Sequence, residues 1–285
     1  METRVIILAA GLVAAAGSSV LAQSAPPVGV RAAGMGGAFT AVADDGTAPF
    51  WNPAGLASGP FAGMTIDGNA LDRQSGMFVG LSTPPFGLSY YRTTSSAPPA
   101  SNRNGPVVTS AIHHAGVTLV QSIGDHGIAV GSTLQYVHGN GADAFDANVG
   151  AMLSGSLGQI GVTVHNVFAP SLGGIDLDRR VRAGVAIHVR QDLTAAADVE
   201  FTRTSSPAGR WRDAAAGVEA HPHPRAWLRG GIHWNTAPEA GFGAAPVGSL
   251  GGSFGVRGSL RADAQVSFGS KEGDTGWGIG LSFVY

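Results

Sequence analysis

Apolar residues alternate with small or polar residues along most of the chain after residue 60. In residues 276–285 the odd positions hold Trp277, Ile279, Leu281, Phe283 and Tyr285, and the even positions hold mainly glycine and serine. Neighbouring side chains of a strand point to opposite faces, so this segment predicts a strand with one wholly apolar face. The same alternation recurs in residues 260–268, 181–190 and 193–202.

Fourteen segments alternate in this way, and most are about ten residues long, the length that a tilted strand needs to cross a bilayer. They begin near Met64, Gly76, Phe86, Val108, Gly127, Ala144, Gln159, Val181, Leu193, Trp211, Arg225, Ser249, Leu260 and Gly276. Short connections, such as 84–85 and 258–259, alternate with longer ones, such as 96–106 and 235–248. This regularity is typical of an up-and-down barrel with periplasmic turns and extracellular loops. We therefore predict an all-β protein, a transmembrane antiparallel β-barrel of about 14 strands, whose closure removes every sheet edge.

The first residues have the pattern of a targeting segment. Residues 5–22 form an apolar or small run that ends in Val20-Leu21-Ala22, which fits the small-residue rule of a signal cleavage site. A membrane anchor of marginal length is the alternative, but Gly11 and Gly17 interrupt the run and no basic flank follows it. We expect residues 1–22 to be a signal peptide and the remaining chain to lie outside the cytoplasm.

Composition narrows the function classes further. The net charge of −2 argues against a nucleic-acid partner, because such proteins are normally basic. The absence of cysteine excludes a disulfide scaffold and a zinc-thiolate site. Glycine is abundant, with 44 residues, and only 13% of the chain is charged, which suits many short strands better than a helical domain.

Residues 23–60 do not alternate, and they carry the one specific resemblance in the chain. The run Gly34-Met35-Gly36-Gly37-Ala38-Phe39, the turn Ala43-Asp44-Asp45 and the stretch Trp51-Asn52-Pro53-Ala54-Gly55-Leu56 resemble the N-terminal plug of the FadL/TodX superfamily, which includes the PorV/PorQ-like proteins. The resemblance covers residues 28–57. It implies a 14-stranded barrel with an N-terminal luminal plug, divided into a signal peptide (1–22), a plug or hatch (23–60) and an outer-membrane β-barrel (61–285).

The resemblance also implies which residues open the plug. Gly34, Gly36 and Gly37 suit a chain that turns inside a crowded lumen, because glycine accepts positive φ and close backbone contact. Asn52-Pro53 predicts a fixed turn. In FadL-type transporters the hatch moves or kinks to let a hydrophobic substrate pass, and by resemblance Asn52, Pro53 and Ala54 have that role here. The alternative interpretation is that the motif only holds the plug in place.

Charged residues of the later strands must point inward, because charge is costly on the lipid face. They are Arg182, Arg190, Asp198, Glu200, Asp213, Glu219, Arg229, Arg261 and Asp263. One interpretation is a set of luminal ion pairs that anchors the plug, and the other is a polar constriction that selects what passes. The first seven strands direct mainly Gly, Ser, Thr and Asn inward, with Asp146 and His165 as exceptions. We therefore expect the plug to lean against this luminal charged wall, and alanine at Arg229 and Arg261 to loosen it.

No catalytic or metal site is expected, and no cofactor. Gly251-Gly252-Ser253-Phe254-Gly255 matches the G-x-S-x-G pattern, but another alternating strand follows it where a nucleophile elbow needs a helix. His113 and His114 are adjacent in a strand, so they face opposite sides and cannot share a metal.

The resulting functional hypothesis is a plugged outer-membrane barrel for passive passage of small hydrophobic molecules. The alternative is a PorV-like accessory barrel that binds protein partners in secretion or envelope organisation; a structural barrel or a soluble secreted β protein is the third possibility. The polar, proline-rich residues 96–106 differ from the apolar loops of FadL-type fatty-acid transporters, which argues against fatty-acid capture. Expected partners are outer-membrane lipid, the barrel-assembly machinery that reads a terminal aromatic such as Tyr285, and either a hydrophobic small molecule or a secreted protein.

Overall fold

The computed structural model describes residues 28–71, 74–97, 108–124, 126–173, 175–206, 209–237, 245–270 and 275–285. The predicted signal peptide, residues 1–22, lies outside the described residues. None of the helices in these ranges is long and apolar enough to cross a membrane.

Fourteen antiparallel strands form a closed barrel, in which the first strand pairs with the last. They are β1 (Gly63–Leu71), β2 (Gln74–Thr83), β3 (Phe86–Ala97), β4 (Val108–Ile123), β5 (Ile128–Gly139), β6 (Ala142–Gly155), β7 (Gly158–His165), β10 (Arg180–Arg190), β11 (Leu193–Glu200), β14 (Asp213–His223), β15 (Ala226–Asn235), β16 (Val247–Arg257), β17 (Leu260–Phe268) and β18 (Gly276–Val284). Two small hairpins lie in the connections between barrel strands: β8 (Ser171–Leu172) with β9 (Ile175–Asp176), and β12 (Thr204–Ser206) with β13 (Gly209–Trp211). Every barrel strand begins within two residues of the position that alternation predicts, so the predicted barrel is confirmed.

The outer surface of the barrel is apolar, and the inner surface is small or polar. On β18, Trp277, Ile279 and Leu281 are each about half exposed, whereas Gly276 and Gly278 are buried. On β17, Val266 points outward and Asp263 is buried inside. Such a continuous apolar belt far exceeds the apolar patches that a monomeric protein exposes to water. This pattern is typical of a barrel that faces lipid.

The two ends of the barrel differ in their connections. The terminal end, where β1 begins and β18 ends, has only short turns: 84–85, 124–127, 156–157, 191–192, 224–225 and 258–259. The opposite end, called the loop end here, carries the longer connections, including both small hairpins. Two loop-end connections are also short, at 72–73 and 140–141, so the predicted alternation of short and long connections is not perfectly regular.

Residues 28–60, called the luminal segment here, lie inside the barrel. They form two short helices, α1 (Val30–Gly34) and α2 (Ala48–Trp51), followed by a 3₁₀ helix, η1 (Pro53–Ser58). Helix α1 packs against β15–β18, and η1 packs against β4–β6 on the opposite wall. The segment therefore crosses the lumen, and its buried side chains form the main apolar cluster of the molecule.

Candidate functional site

Asn52 joins the luminal segment to itself and to the barrel wall. Its buried side-chain Nδ2 donates to the Thr40 carbonyl oxygen at 2.9 Å and to the Ala151 carbonyl oxygen of β6 at 3.2 Å. Its Oδ1 accepts from the backbone N–H of Ala54 at 3.2 Å and so caps η1, which Pro53 begins. An asparagine at this cap satisfies a backbone donor that the helix leaves without a partner. The predicted fixed turn is therefore the start of a 3₁₀ helix.

Arg31 holds the first half of the luminal segment against β14. Its guanidinium donates two hydrogen bonds to Glu219, at 2.9 and 2.8 Å, and others to Asp44 and Asp45 within the segment. Burial acts to lower the pKa of Arg31, but Asp44 and Glu219 outweigh it and hold the pKa above its ordinary value. Arg31 consequently stays charged, and its pairing with Glu219 is a charge-assisted bidentate contact.

The Arg31 site continues along the wall. Glu219 also accepts from Arg229 Nε at 2.5 Å, and Arg229 Nη1 donates to Ser253 Oγ at 2.6 Å. Ser253 in turn donates to Asp263, whose other oxygen accepts from Ser282 at 3.0 Å. Ser253 thus lies within a strand as a hydrogen-bond relay between two charged residues, and the G-x-S-x-G pattern around it forms no strand–turn–helix elbow.

A second charged group holds the middle of the luminal segment. Arg182 donates to Asp198 at 3.0 Å, to Asp213 at 2.9 Å and to the Gly37 carbonyl oxygen at 2.6 Å. Asp198 Oδ2 accepts from the backbone N–H groups of Phe39 and Thr40 and from the Thr40 hydroxyl. Buried charges require such pairing, and here part of the pairing comes from the backbone of the segment.

Glycines on the wall allow the luminal segment to contact it closely. A Cβ at Gly231 would lie 2.1 Å from the Met35 carbonyl carbon, and a Cβ at Gly131 would lie 2.5 Å from the Pro53 carbonyl carbon. A Cβ at Gly150 would lie 2.0 Å from Asn52 Oδ1. Real side chains do not approach so closely, so only glycine fits at these wall positions. This explains part of the high glycine content.

The predicted plug glycines contribute from the other side of the same contacts. Gly36 and Gly37 have φ values of 65° and 80°, which favour glycine, and Gly36 packs directly on the backbone of Gly231 and Ile232. Gly34 ends α1 next to Gly251, and its carbonyl oxygen accepts from Ser249 Oγ at 3.2 Å.

An aromatic cluster covers the part of the luminal segment around α2. Phe50 makes edge contacts with Trp51 and Tyr91, at ring-centre distances of 5.4 and 5.3 Å, and lies 5.6 Å from His165. Tyr91 stacks on His114 at 4.0 Å. Phe50 is only half-buried, and His165 ends β7 at the loop end, so the cluster presents an apolar surface toward that end.

A cavity of about 450 Å³ lies at the terminal end, between the luminal segment and the wall. Its lining includes Arg31, Asp44, Asp67, Trp227 and Arg261. Eight of the residues that line the cavity are charged, in contrast to the aromatic cluster on the other side.

The structure corrects one prediction about the charged wall. Arg190 does not belong to it: its side chain is 69% exposed and pairs with Asp192 at the adjoining turn. The reason is a register shift between His188 and Arg190, which ends the alternation of β10 before Arg190. Arg261 lines the lumen as predicted; its guanidinium lies over the Trp227 ring at 4.7 Å and makes no hydrogen bond to the described part of the luminal segment.

The remaining residues of the predicted wall lie in the lumen: Arg182, Asp198, Glu200, Asp213, Glu219, Arg229 and Asp263. Glu200 is buried, and Arg180 is its ion-pair partner at 4.0 Å.

Sequence reasoning missed Asp67 on β1, which accepts from the Val30 N–H at 3.1 Å, and it missed Tyr91 and His114 among the inward residues of the first strands. Their even or odd position in each strand was the signal that could have found them.

Comparison with known proteins places the fold. No protein-family model matches the chain, and no curated protein matches its sequence. The structure is similar to that of the Ralstonia pickettii toluene transporter TbuX, with a TM-score of 0.67 and 11% identity over 92% of this chain and 99% of that one. It is also similar to a deltaS2 mutant of the TodX monoaromatic hydrocarbon channel, with a TM-score of 0.63 and 11% identity over 90% of this chain and 96% of that one. The predicted resemblance to FadL/TodX barrels is thereby confirmed for the fold.

Proposed function

We propose that this chain is a bacterial outer-membrane barrel for passive passage of small hydrophobic molecules, with the luminal segment as its plug. The observation that carries the proposal is that this segment crosses the lumen. Ion pairs hold its first half to the wall, and neutral hydrogen bonds hold its second half. The outward apolar belt supports the membrane location. The fold shared with TbuX and TodX supports the class of cargo, since their names give toluene and monoaromatic hydrocarbons.

The two halves of the luminal segment are held by different forces. The first half has the ion pairs of Arg31 and the contacts of Arg182 and Asp198. Residues 46–60 contain no charged side chain. Two hydrogen bonds hold them to the wall: Asn52 donates to the Ala151 carbonyl oxygen of β6, and Thr133 of β5 donates to the Pro49 carbonyl oxygen. Neutral hydrogen bonds contribute less than charge-assisted ones. The second half is therefore the part that moves to open a passage along β4–β6, and the first half is its anchor.

The aromatic cluster gives a hydrophobic molecule its first contact inside the barrel. Phe50 belongs to the half that moves, and Tyr91 and His165 belong to the wall. A small aromatic molecule that enters from the loop end can pack on Phe50 and Tyr91 in place of their contact with each other. Its binding there favours displacement of α2 and η1, because it replaces the apolar contacts that hold them.

Uptake in whole cells tests this function. A double variant, Ser58→Cys with Ser154→Cys, joins η1 to β6 by a disulfide, because the two hydroxyl oxygens lie 3.4 Å apart and the chain has no other cysteine. Cells with a lipopolysaccharide outer membrane that produce the protein are given radiolabelled toluene. We expect uptake to exceed that of cells without the protein, to fall after oxidation of the double variant and to recover on reduction.

The single variant Ser154→Cys is the matched control, and its uptake should not respond to oxidation. Uptake equal to that of cells without the protein would contradict the proposed transport. Native mass spectrometry of mildly extracted protein then tests the accessory alternative: a protein partner bound at fixed stoichiometry, together with an empty lumen, would support it.

A further inference from the structure

Three neighbouring hairpins at the terminal end share one irregularity. They join β10 to β11, β14 to β15 and β16 to β17, which are consecutive in the barrel. In each hairpin the register shifts just before the turn, and the turn is then closed by Arg190 opposite Leu193, His223 opposite Ala226, or Arg257 opposite Leu260. The same register shift thus places a basic residue at the last paired position before the turn in all three hairpins.

These hairpins form a patch of exposed basic side chains, called the basic rim here. Its members are His188, Arg190, His221, His223, Arg225 and Arg257, and all of them are exposed. Asp192 is the one acidic residue in the three turns, and it pairs with Arg190. Arg225 and Arg257 have no ion-pair partner among the described residues. Their charge is therefore available to a partner.

The other half of the terminal end is different. Its three hairpins close at Thr83, Ile123 and Gly155, with no register shift there, and their turns contain no lysine or arginine. One of these turns instead presents Leu157, which is 83% exposed. The arginines of the terminal-end hairpins are thus confined to one side of the barrel end, and the turns of the other side contain one histidine, His126.

The basic rim borders the apolar outer surface directly. Val189 precedes Arg190 and is 56% exposed, and Val256 precedes Arg257 and is 52% exposed. Leu228 and Phe254 on the same strands are also exposed to the outside. In a membrane, side chains at this border lie at the level of the lipid headgroups.

We propose that the basic rim binds the headgroups of anionic phospholipids in the leaflet at the terminal end, through Arg225 and Arg257. This inference rests on the proposed membrane location. Arginine is suited to phosphate because its planar guanidinium donates parallel hydrogen bonds to two oxygens. Lipid is the favoured partner because the rim continues the lipid-facing surface without a gap. The result is a barrel that gathers anionic lipid on one side only.

The test is a lipid titration of the full-length barrel in detergent, followed by native mass spectrometry. The probes are dioleoyl phosphatidylglycerol, dioleoyl phosphatidylethanolamine and free glycerol phosphate. We expect the wild-type protein to retain phosphatidylglycerol in preference to phosphatidylethanolamine. Arg225→Gln with Arg257→Gln should weaken that binding by about thirtyfold, since each of the two basic residues near an anionic lipid surface contributes about 1 kcal/mol. The control with the same charge change is Arg92→Gln with Arg203→Gln, two exposed arginines toward the loop end, and it should retain the preference.

Three results would overturn the inference: an unchanged preference in the rim variant, an equal loss in the control, or glycerol phosphate bound as well as the lipid. An acidic protein that co-purifies with the wild type and not with the rim variant, without any lipid preference, would also overturn it. Heat-modifiable gel mobility and membrane flotation are recorded for each variant. A protein that fails these two tests contradicts the proposed membrane location, whereas a folded, membrane-bound barrel without lipid preference contradicts the rim alone.

Discussion

At the scale of single residues, Asn52 determines how firmly the second half of the luminal segment is held. Asn52→Ala removes its hydrogen bonds to Thr40 and Ala151 and the cap on η1. We expect the segment to lose about 2 kcal/mol of its attachment to the wall. A cysteine introduced at the buried Leu56 reports this loss, because maleimide should label it at least tenfold faster in the Asn52→Ala background. Asn148→Ala is the control, since Asn148 is also buried but accepts from the backbone N–H of Asn166, just after β7, and not from the luminal segment.

Glu219 has the corresponding role for the first half. Arg31 is the only lysine or arginine in residues 28–60, so trypsin can cut the luminal segment only there. Glu219→Gln removes the charge that Arg31 and Arg229 share, and breaking a buried pair of this kind costs about 3 kcal/mol. We expect cleavage after Arg31 to become much faster in the folded barrel.

Arg261 is the matched control for that experiment. Arg261 lines the same cavity as Arg31, but its guanidinium lies over Trp227 and makes no hydrogen bond to Arg31 or to the carboxylates that hold it. Its positive charge repels that of Arg31, so Arg261→Ala should not accelerate cleavage. Equal acceleration in both variants would show that a general loosening of the wall, and not the Glu219 contact, controls the segment. The sequence led us to expect that alanine at Arg229 and Arg261 loosens the segment. The contacts with Glu219 favour that role for Arg229 and not for Arg261.

At the scale of elements, the wall glycines determine whether the luminal segment fits. Gly231→Ala puts a methyl group on the backbone of Met35, which neither element can avoid without moving. We expect cleavage after Arg31 to accelerate in this variant while the barrel stays closed, as judged by heat-modifiable mobility. Gly68→Ala on β1 is the control, because its added methyl group has no atom within 4 Å. Acceleration in both would attribute the effect to the strands and not to the contact.

The strands themselves follow from the sequence because one rule governs each of them. A side chain that faces lipid must be apolar, and the next one must face the lumen, so the positions of Trp277 and Asp263 could be assigned from alternation alone. The rule fails where the register shifts, as at Arg190. The alternation rule also does not predict which residues of the luminal segment contact which residues of the wall. Arg31 and Glu219 are 188 positions apart, and only the assembled barrel shows that they meet.

At the scale of the whole molecule, the strand pairs form a barrel without help from the luminal segment, because β1 and β18 close the sheet through their own hydrogen bonds. Deletion of residues 28–60 should therefore leave heat-modifiable mobility intact and open the lumen. We expect proteoliposomes with the deleted protein to swell rapidly in small sugars, and those with the complete protein to swell slowly. Slow swelling of a folded deletion variant would show that other residues close the lumen.

The order of the chain has a consequence for biogenesis. The luminal segment leaves the ribosome before every strand that it contacts, yet Gly34 meets Ser249 and Arg31 meets Glu219, which are made near the end of synthesis. Contacts between such distant positions form late, because the intervening chain must first be ordered. The nascent segment must consequently remain without its native contacts while the fourteen strands assemble around it. It fills the lumen only as β1 pairs with β18 and closes the barrel.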